Sequence, residues 1–143
     1  MAYLLDTVTI SELRKDDRCD VNVRAWEISV IDQFKFLSVI TMMEVKRGIL
    51  LAKAKNPEFS DILHSWYENN LKTAFHHRIL PVDLAVAERC SILFANRTHG
   101  VSDALIAATA YVHNLALVTR NVDDFHDTEI KIINPWTYKA AKS

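Results

Sequence analysis

Four places in this 143-residue sequence carry side chains suited to holding a hard cation. Asp6 ends an apolar run over residues 2–5, and Glu44 falls in the first turn of a helix predicted to begin at Thr41. Asp103 opens an alanine-rich helix over 104–113, while Asn121 and Asp124 directly follow a strand over 116–119. In an open α/β sheet, chemistry gathers at the C-terminal edge of the strands. Carboxylates brought together there repel one another unless a cation neutralises them. Oxygen donors without His or Cys select Mg²⁺ or Mn²⁺ over zinc. Most of these residues also have a structural reading. Glu44 completes a capping box with Thr41, Asp103 suits the positive end of a helix dipole, and Asp123 and Asp124 read as turn residues. Asp6 has no routine structural task at the end of a buried strand.

The elements that position these groups follow from periodicity and caps. Short apolar runs over 2–5, 36–40, 79–82, 116–119 and 130–133 read as strands. Thr9 with Glu12 forms a capping-box pattern for a short helix to about Lys15, and 22–32 reads as a second helix. From Thr41 a longer helix places Met42, Val45, Ile49 and Ala52 on one face. Asn56-Pro57 is a helix start, followed by Phe59, Ile62, Leu63, Trp66, Tyr67 and Leu71 at helical spacing. Asp83 caps a helix carrying Val86, Cys90, Leu93 and Phe94, and Ser102 caps the alanine-rich one. Strands alternating with helices predict an α/β fold: one domain over 1–143, with a mostly parallel central sheet of about five strands flanked by helices.

Composition narrows the field further. Half the residues are hydrophobic and 24% are charged, which suits a globular domain. Two glycines leave no room for a phosphate-binding glycine loop, a dinucleotide-binding turn or a nucleophile elbow. Cys19 and Cys90 stand alone, without a CxxC or CxxH, and read as reduced thiols. The net charge of −1 means that any contact with phosphate comes from local patches. No segment approaches the length of a membrane span and no leader pattern opens the chain, so the expectation is a cytoplasmic protein that makes no membrane contact.

Tyr3-Leu-Leu-Asp-Thr7, Leu37-Ser-Val-Ile-Thr-Met-Met-Glu-Val-Lys-Arg-Gly48, Ser102-Asp-Ala-Leu-Ile-Ala-Ala-Thr-Ala110 and Leu117-Val-Thr-Arg-Asn-Val-Asp-Asp-Phe125 occur in the order of the motifs of PIN domains. The sequence resembles that family over nearly its whole length. The closing Ile133-Asn-Pro-Trp136 resembles the VapC and FitB branch, the toxins of type II toxin–antitoxin pairs. The resemblance implies a Mg²⁺- or Mn²⁺-dependent ribonuclease that hydrolyses RNA phosphodiesters with a metal-activated water. By position, Asp6, Glu44 and Asp103 match the family's acidic metal-site residues. Asn121 stands at a fourth position often acidic, and Asp124 matches a further acid and potential ligand. Thr7 and Thr119 match small hydroxyl residues beside the site. Two departures stand out: Val8 replaces a common Asn or Ser, and the loop leading to Asp103 is short. The resemblance also implies a homodimer and a DNA-binding, VapB-like antitoxin whose basic tail residue reaches the acids.

Three basic groups remain, of which Lys46, Arg47, Lys53 and Lys55 are nearest in sequence to Glu44. Lys46, Arg47 and Lys53 are the expected contacts to RNA phosphate. His76-His77-Arg78 reads as a solvated helix end rather than a ligand cluster. The large apolar side chains of 57–75, Phe59, Trp66, Tyr67, Leu71 and Phe75, exceed one core-facing stripe and predict an exposed interface. The competing functional reading is a PIN-fold module with a weakened site that acts through partner proteins. A phosphotransfer domain fits poorly, since Val8 occupies the place of the second aspartate of haloacid-dehalogenase-like enzymes.

Overall fold

The computed structural model describes residues 1–96, 100–125 and 128–140. The segment 97–99, immediately before the short loop leading to Asp103, lies outside them. Five parallel strands form one sheet in the order β3-β2-β1-β4-β5. They are β1 (Tyr3–Leu5), β2 (Lys35–Ser38), β3 (Ile79–Leu80), β4 (Ala116–Val118) and β5 (Ile132–Ile133). Parallel neighbours require crossovers, which are supplied by α1 (Thr7–Leu13), α2 (Val21–Ser29), α3 (Val39–Lys55), α4 (Pro57–Trp66), α5 (Lys72–Ala74), α6 (Leu84–Phe94) and α7 (Val101–Val112). Between α4 and α5 the chain makes one π turn, Tyr67–Leu71.

Side chains alternate across the central strands and build a core on each face of the sheet. Leu4 and Leu117 join Ile106, Ala107 and Ala110 of α7 together with Phe94 and Phe125. Leu5 and Val118 point the other way, into Leu37, Trp26, Met42, Ile49, Tyr67, Leu71 and Phe75. The small, fully buried Ala107, Ala108 and Ala110 let α7 lie close against β4.

Several boundaries differ from those read in the sequence, and each difference has a local cause. The first helix starts at Thr7 because Asp6, not Thr9, caps it, accepting from the Thr9 backbone N–H at 2.9 Å. The third helix starts at Val39 because Ser38 Oγ accepts from the Ile40 N–H at 3.0 Å. The capping box of Thr41 with Glu44 therefore does not form. The alanine-rich helix begins at Val101 after Gly100, without a side-chain cap from Ser102. The second strand takes in Lys35, whose nearly buried ammonium donates to the Glu27 carbonyl and Asp32 Oδ1, both at 2.8 Å.

Asn56 and Pro57 start α4 as read, with Asn56 Oδ1 accepting from the Phe59 N–H. Of the large side chains over 57–75, Tyr67, Leu71 and Phe75 are core and Trp66 packs against them. Phe59 is exposed, and Ile62 beside it more so. Cys19 and Cys90 are free thiols. Among the described residues no helix is long and apolar enough to cross a membrane.

Candidate active site

β1 and β4 are adjacent and in register, Leu5 opposite Val118, so the residues after them emerge side by side at one edge of the sheet. Asp6 follows β1, and Thr119 and Asn121 follow β4. With Val8, Ile106, Leu117, Phe125 and Asp103 from the first turn of α7, they line a pocket of about 80 Å³. A space of that size suits a hydrated ion and not a nucleobase.

Asp6 is the most constrained of these groups. Its Oδ1 accepts from the Thr9 N–H at 2.9 Å and from the Thr9 hydroxyl at 2.7 Å. Burial lifts its carboxyl above the ordinary range. Hydrogen bonds from Thr119 and Thr9 pull it part of the way back, and the Asp103 charge pushes it up again. The helix cap is thus a structural task for Asp6 that the sequence reading did not supply. The cap accounts for one carboxylate oxygen, however, and leaves unexplained a second carboxylate in the same pocket.

Glu44 does not line the pocket but bonds to a neighbour of Asp6 in the chain. The Thr7 hydroxyl lies 2.6 Å from Glu44 Oε1 and 3.2 Å from the Thr41 hydroxyl, which ties α3 to the start of α1 next to Asp6. Asp124 is exposed, and its Oδ2 accepts from the Asn121 amide. The Thr119 hydroxyl accepts from the Asn121 N–H at 3.0 Å, which sets the turn. The structure therefore brings Asp6, Asp103, Thr119 and Asn121 together in one pocket, whereas Glu44, bonded to Thr7, and Asp124, bonded to Asn121, are not part of its lining. Among the described residues no three His, Cys, Asp or Glu side chains form a ready-made ligand shell. Two carboxylates, an amide, a hydroxyl and room for water still fit Mg²⁺ or Mn²⁺. Mg²⁺ keeps several waters and is commonly bound through one or two carboxylates.

The expected phosphate contacts lie elsewhere. Lys46 turns toward α4, its Nζ 3.4 Å from His64 Nδ1 and 5.5 Å from the Tyr67 ring centre. Arg47 and Lys53 are exposed on α3, and Lys53 stands roughly 13 Å along the axis from Glu44. None of the three lines the pocket. His76 and His77 are exposed at a helix end, with ring centres 3.8 Å apart. A larger cavity, about 380 Å³, is lined by Ile10, Arg14, Lys35, Leu71, Phe75 and Arg78 among others. The acids at its rim include Glu27 and Asp32, which are paired with Lys35 and so are poor candidates for chemistry. Sequence reasoning missed Thr9 and Thr41, whose hydroxyls position Asp6 and Thr7; threonine in an apolar run offers no signal until its partner is known.

Residues 3–131 match the model of the PIN domain. The chain belongs to the PIN domain family. This PIN domain is 36% identical to Toxin FitB of Neisseria gonorrhoeae over 93% of its own length and 97% of that protein's. It is 33% identical to VapC ribonuclease Y4jK of Sinorhizobium fredii, over 93% and 96% of the two chains. Among solved structures it superposes on FitAB bound to the IR36 DNA fragment with a TM-score of 0.86 and 30% identity. That match covers 98% of this PIN domain and 99% of the other chain.

Proposed function

We propose that this PIN domain is a Mg²⁺- or Mn²⁺-dependent endoribonuclease that acts on cytoplasmic RNA as the toxin of a type II toxin–antitoxin pair, with residues 1–143 working as one unit. The observation that carries this reading is the meeting of Asp6 and Asp103 in one small pocket at the C-terminal edge of the parallel sheet, with oxygen and amide groups as its polar lining. The relatives named toxin and VapC ribonuclease support the same assignment.

Asp6 and Asp103 would hold the ion, with Glu44 and Asp124 completing its surroundings directly or through water. A bound divalent ion lowers the pKa of water and neutralises charge on a phosphodiester. The chain's own contribution is placement. Thr9 and Thr119 hold the Asp6 carboxylate, and Thr7 ties the Glu44 carboxylate to the start of α1. Asn121, steadied by Asp124 and the Thr119 hydroxyl, lines the same pocket. Among the described residues the polar lining is Asp6, Asp103, Thr119 and Asn121, and in this reading a water beside the ion would be the attacking group. Catalysis of this kind rests on positioned charge.

A solved relative forms the complex FitAB on DNA, which supports a DNA-binding antitoxin as partner here. A basic residue from that partner would satisfy Asp6 and Asp103 in place of the ion. Exposed Leu50, Leu51 and Ile62 supply apolar surface for a homodimer. Light scattering that gives the mass of one chain at micromolar concentration contradicts that dimer.

The test is incubation of labelled RNA with purified protein. Fragments should appear with Mg²⁺ or Mn²⁺, vanish with EDTA and be lost in Asp6→Asn. A folded protein that binds its antitoxin but never cuts RNA is instead a regulatory module.

A further inference from the structure

Arg120 sits between two residues that line the acidic pocket, Thr119 and Asn121, but is not itself part of the lining. Its guanidinium lies over the indole of Trp136, 5.2 Å from the ring centre. The sheet creates this meeting. Val118 pairs with Ile133 in β4 and β5, so the residues beyond each strand run out side by side at the same edge as Asp6.

Trp136 is firmly held. Its backbone N–H donates to Asn134 Oδ1 at 3.0 Å, and its backbone carbonyl accepts from the Asn22 amide at 2.8 Å, which locks this segment to α2. Arg120 is different. It is exposed, and among the described residues it has no carboxylate partner and no hydrogen bond. Arg24 pairs with Glu27, and Arg78 donates to the Lys35 carbonyl at 2.6 Å. Arg14 and Arg89 also rest on aromatic rings, Phe59 and Tyr111, but neither is a chain neighbour of the residues that line the acidic pocket. An unpaired guanidinium resting on an aromatic ring beside an acidic pocket is an arrangement that a polyanion with flat bases completes. Its N–H groups remain available to a phosphodiester, and its exposed plane offers a stacking surface. The acids themselves repel RNA, so a fixed cation one residue away also offsets that repulsion.

We propose that Arg120, supported by Trp136, is a subsite for single-stranded RNA that receives the nucleotide next to the scissile phosphate. Arg120 is a positioning residue and takes no part in bond breaking. The proposal rests on the ribonuclease reading for its substrate class, but its test reads binding without cleavage.

The full-length protein is titrated against a short fluorescein-labelled polyuridine in EDTA, with fluorescence anisotropy followed over a range of salt concentrations. The variants are Arg120→Ala, Arg120→Lys and, as a charge-matched control, Arg18→Ala on an exposed surface elsewhere. Arg120→Ala should bind about tenfold more weakly, with a salt slope reduced by about one. Arg120→Lys should restore the slope but not the affinity, because a lysine keeps the charge and loses the planar surface. Arg18→Ala should stay within twofold of the parent protein. The proposal is overturned if the parent protein does not bind the RNA or if Arg120→Ala binds within twofold of it. It is equally overturned if Arg18→Ala loses as much as Arg120→Ala, which would leave only net charge, or if lysine restores affinity fully. Addition of Mn²⁺ separates the two readings: binding that depends on Arg120, with no fragments released, removes the ribonuclease and leaves the subsite standing.

Discussion

Asp6 does two jobs, and substitutions that differ by one atom group separate them. Its Oδ1 caps α1, while its charge belongs to the acidic pocket. Asn is as good a cap as Asp, whereas Ala is not. Asp6→Asn therefore keeps the bond to the Thr9 N–H and removes only the charge. Asp6→Ala removes both. Loss of the cap costs about 1 kcal/mol, within a range of about 0.5 to 2. The buried Thr9 hydroxyl would not be stranded, since the Val118 carbonyl lies 3.2 Å away as a second acceptor. At about 3 °C per kcal/mol for a chain of this size, Asp6→Asn should melt roughly 2–6 °C above Asp6→Ala in EDTA. Neither variant carries a charge at this position, so that gap should not change with pH.

The comparison with the parent protein does change with pH. Burial raises the Asp6 pKa in the folded state above its unfolded value. The helix dipole favours the charge, but burial outweighs it. The folded protein thus binds this proton more tightly than the unfolded chain does. Stability is lost as pH rises through the window that opens at about 3.9 and ends at the raised folded value. Asp6→Asn lacks that penalty. It should be the more stable protein at neutral pH, and the advantage should shrink toward zero as pH falls below about 4. The assay is thermal unfolding followed by circular dichroism across pH. If Asn and Ala variants melt together, the cap is not formed. A difference from the parent protein that does not vary with pH shows that burial of the charge is not what separates them.

Two other substitutions test the supports of the site and sheet. Thr7→Val removes the donor to Glu44 Oε1 while keeping shape, and should lower RNA cleavage about 10- to 100-fold with little change in melting temperature. A variant that cuts at the parental rate shows that Glu44 needs no orientation. Lys35→Met keeps the volume of a nearly buried side chain but removes the charged donor shared by the Glu27 carbonyl and the Glu27 and Asp32 carboxylates, leaving that carbonyl only the Val30 N–H at 3.3 Å, and should cost about 1–3 kcal/mol in urea unfolding. Unchanged stability would mean that water replaces the ammonium.

The order of elements was legible because each strand is a short apolar run and most helices carry a cap or proline at their start. The starts of the helices that matter most were less so, for a shared reason: neighbouring hydroxyls and carboxylates compete for the same N–H groups. Thr9 with Glu12 and Thr41 with Glu44 both satisfy a capping pattern, yet Asp6 and Ser38 take the caps. What decides is where β1 and β2 end, and that is set by pairing with strands distant in sequence, Leu5 with Val118 and Ser38 with Leu80. With Ser38 as the cap, Glu44 loses its local explanation and turns to Thr7. Lys35 was left out of β2 because an isolated lysine reads as solvent-facing until Glu27 and Asp32 are seen around it. Arg120 and Trp136 are sixteen residues apart, and only the parallel pairing of β4 with β5 brings them together.

The central claim is that Asp6 and Asp103 hold one divalent ion between them. Electron paramagnetic resonance of free Mn²⁺ during titration of the protein measures this directly, without RNA or antitoxin. The parent protein should remove Mn²⁺ from the free signal with a saturable stoichiometry, and Asp103→Asn should weaken that binding at least tenfold while keeping the fold. If Asp103→Asn binds Mn²⁺ as the parent protein does, the ion does not sit between these two carboxylates, and the assignment of the pocket fails.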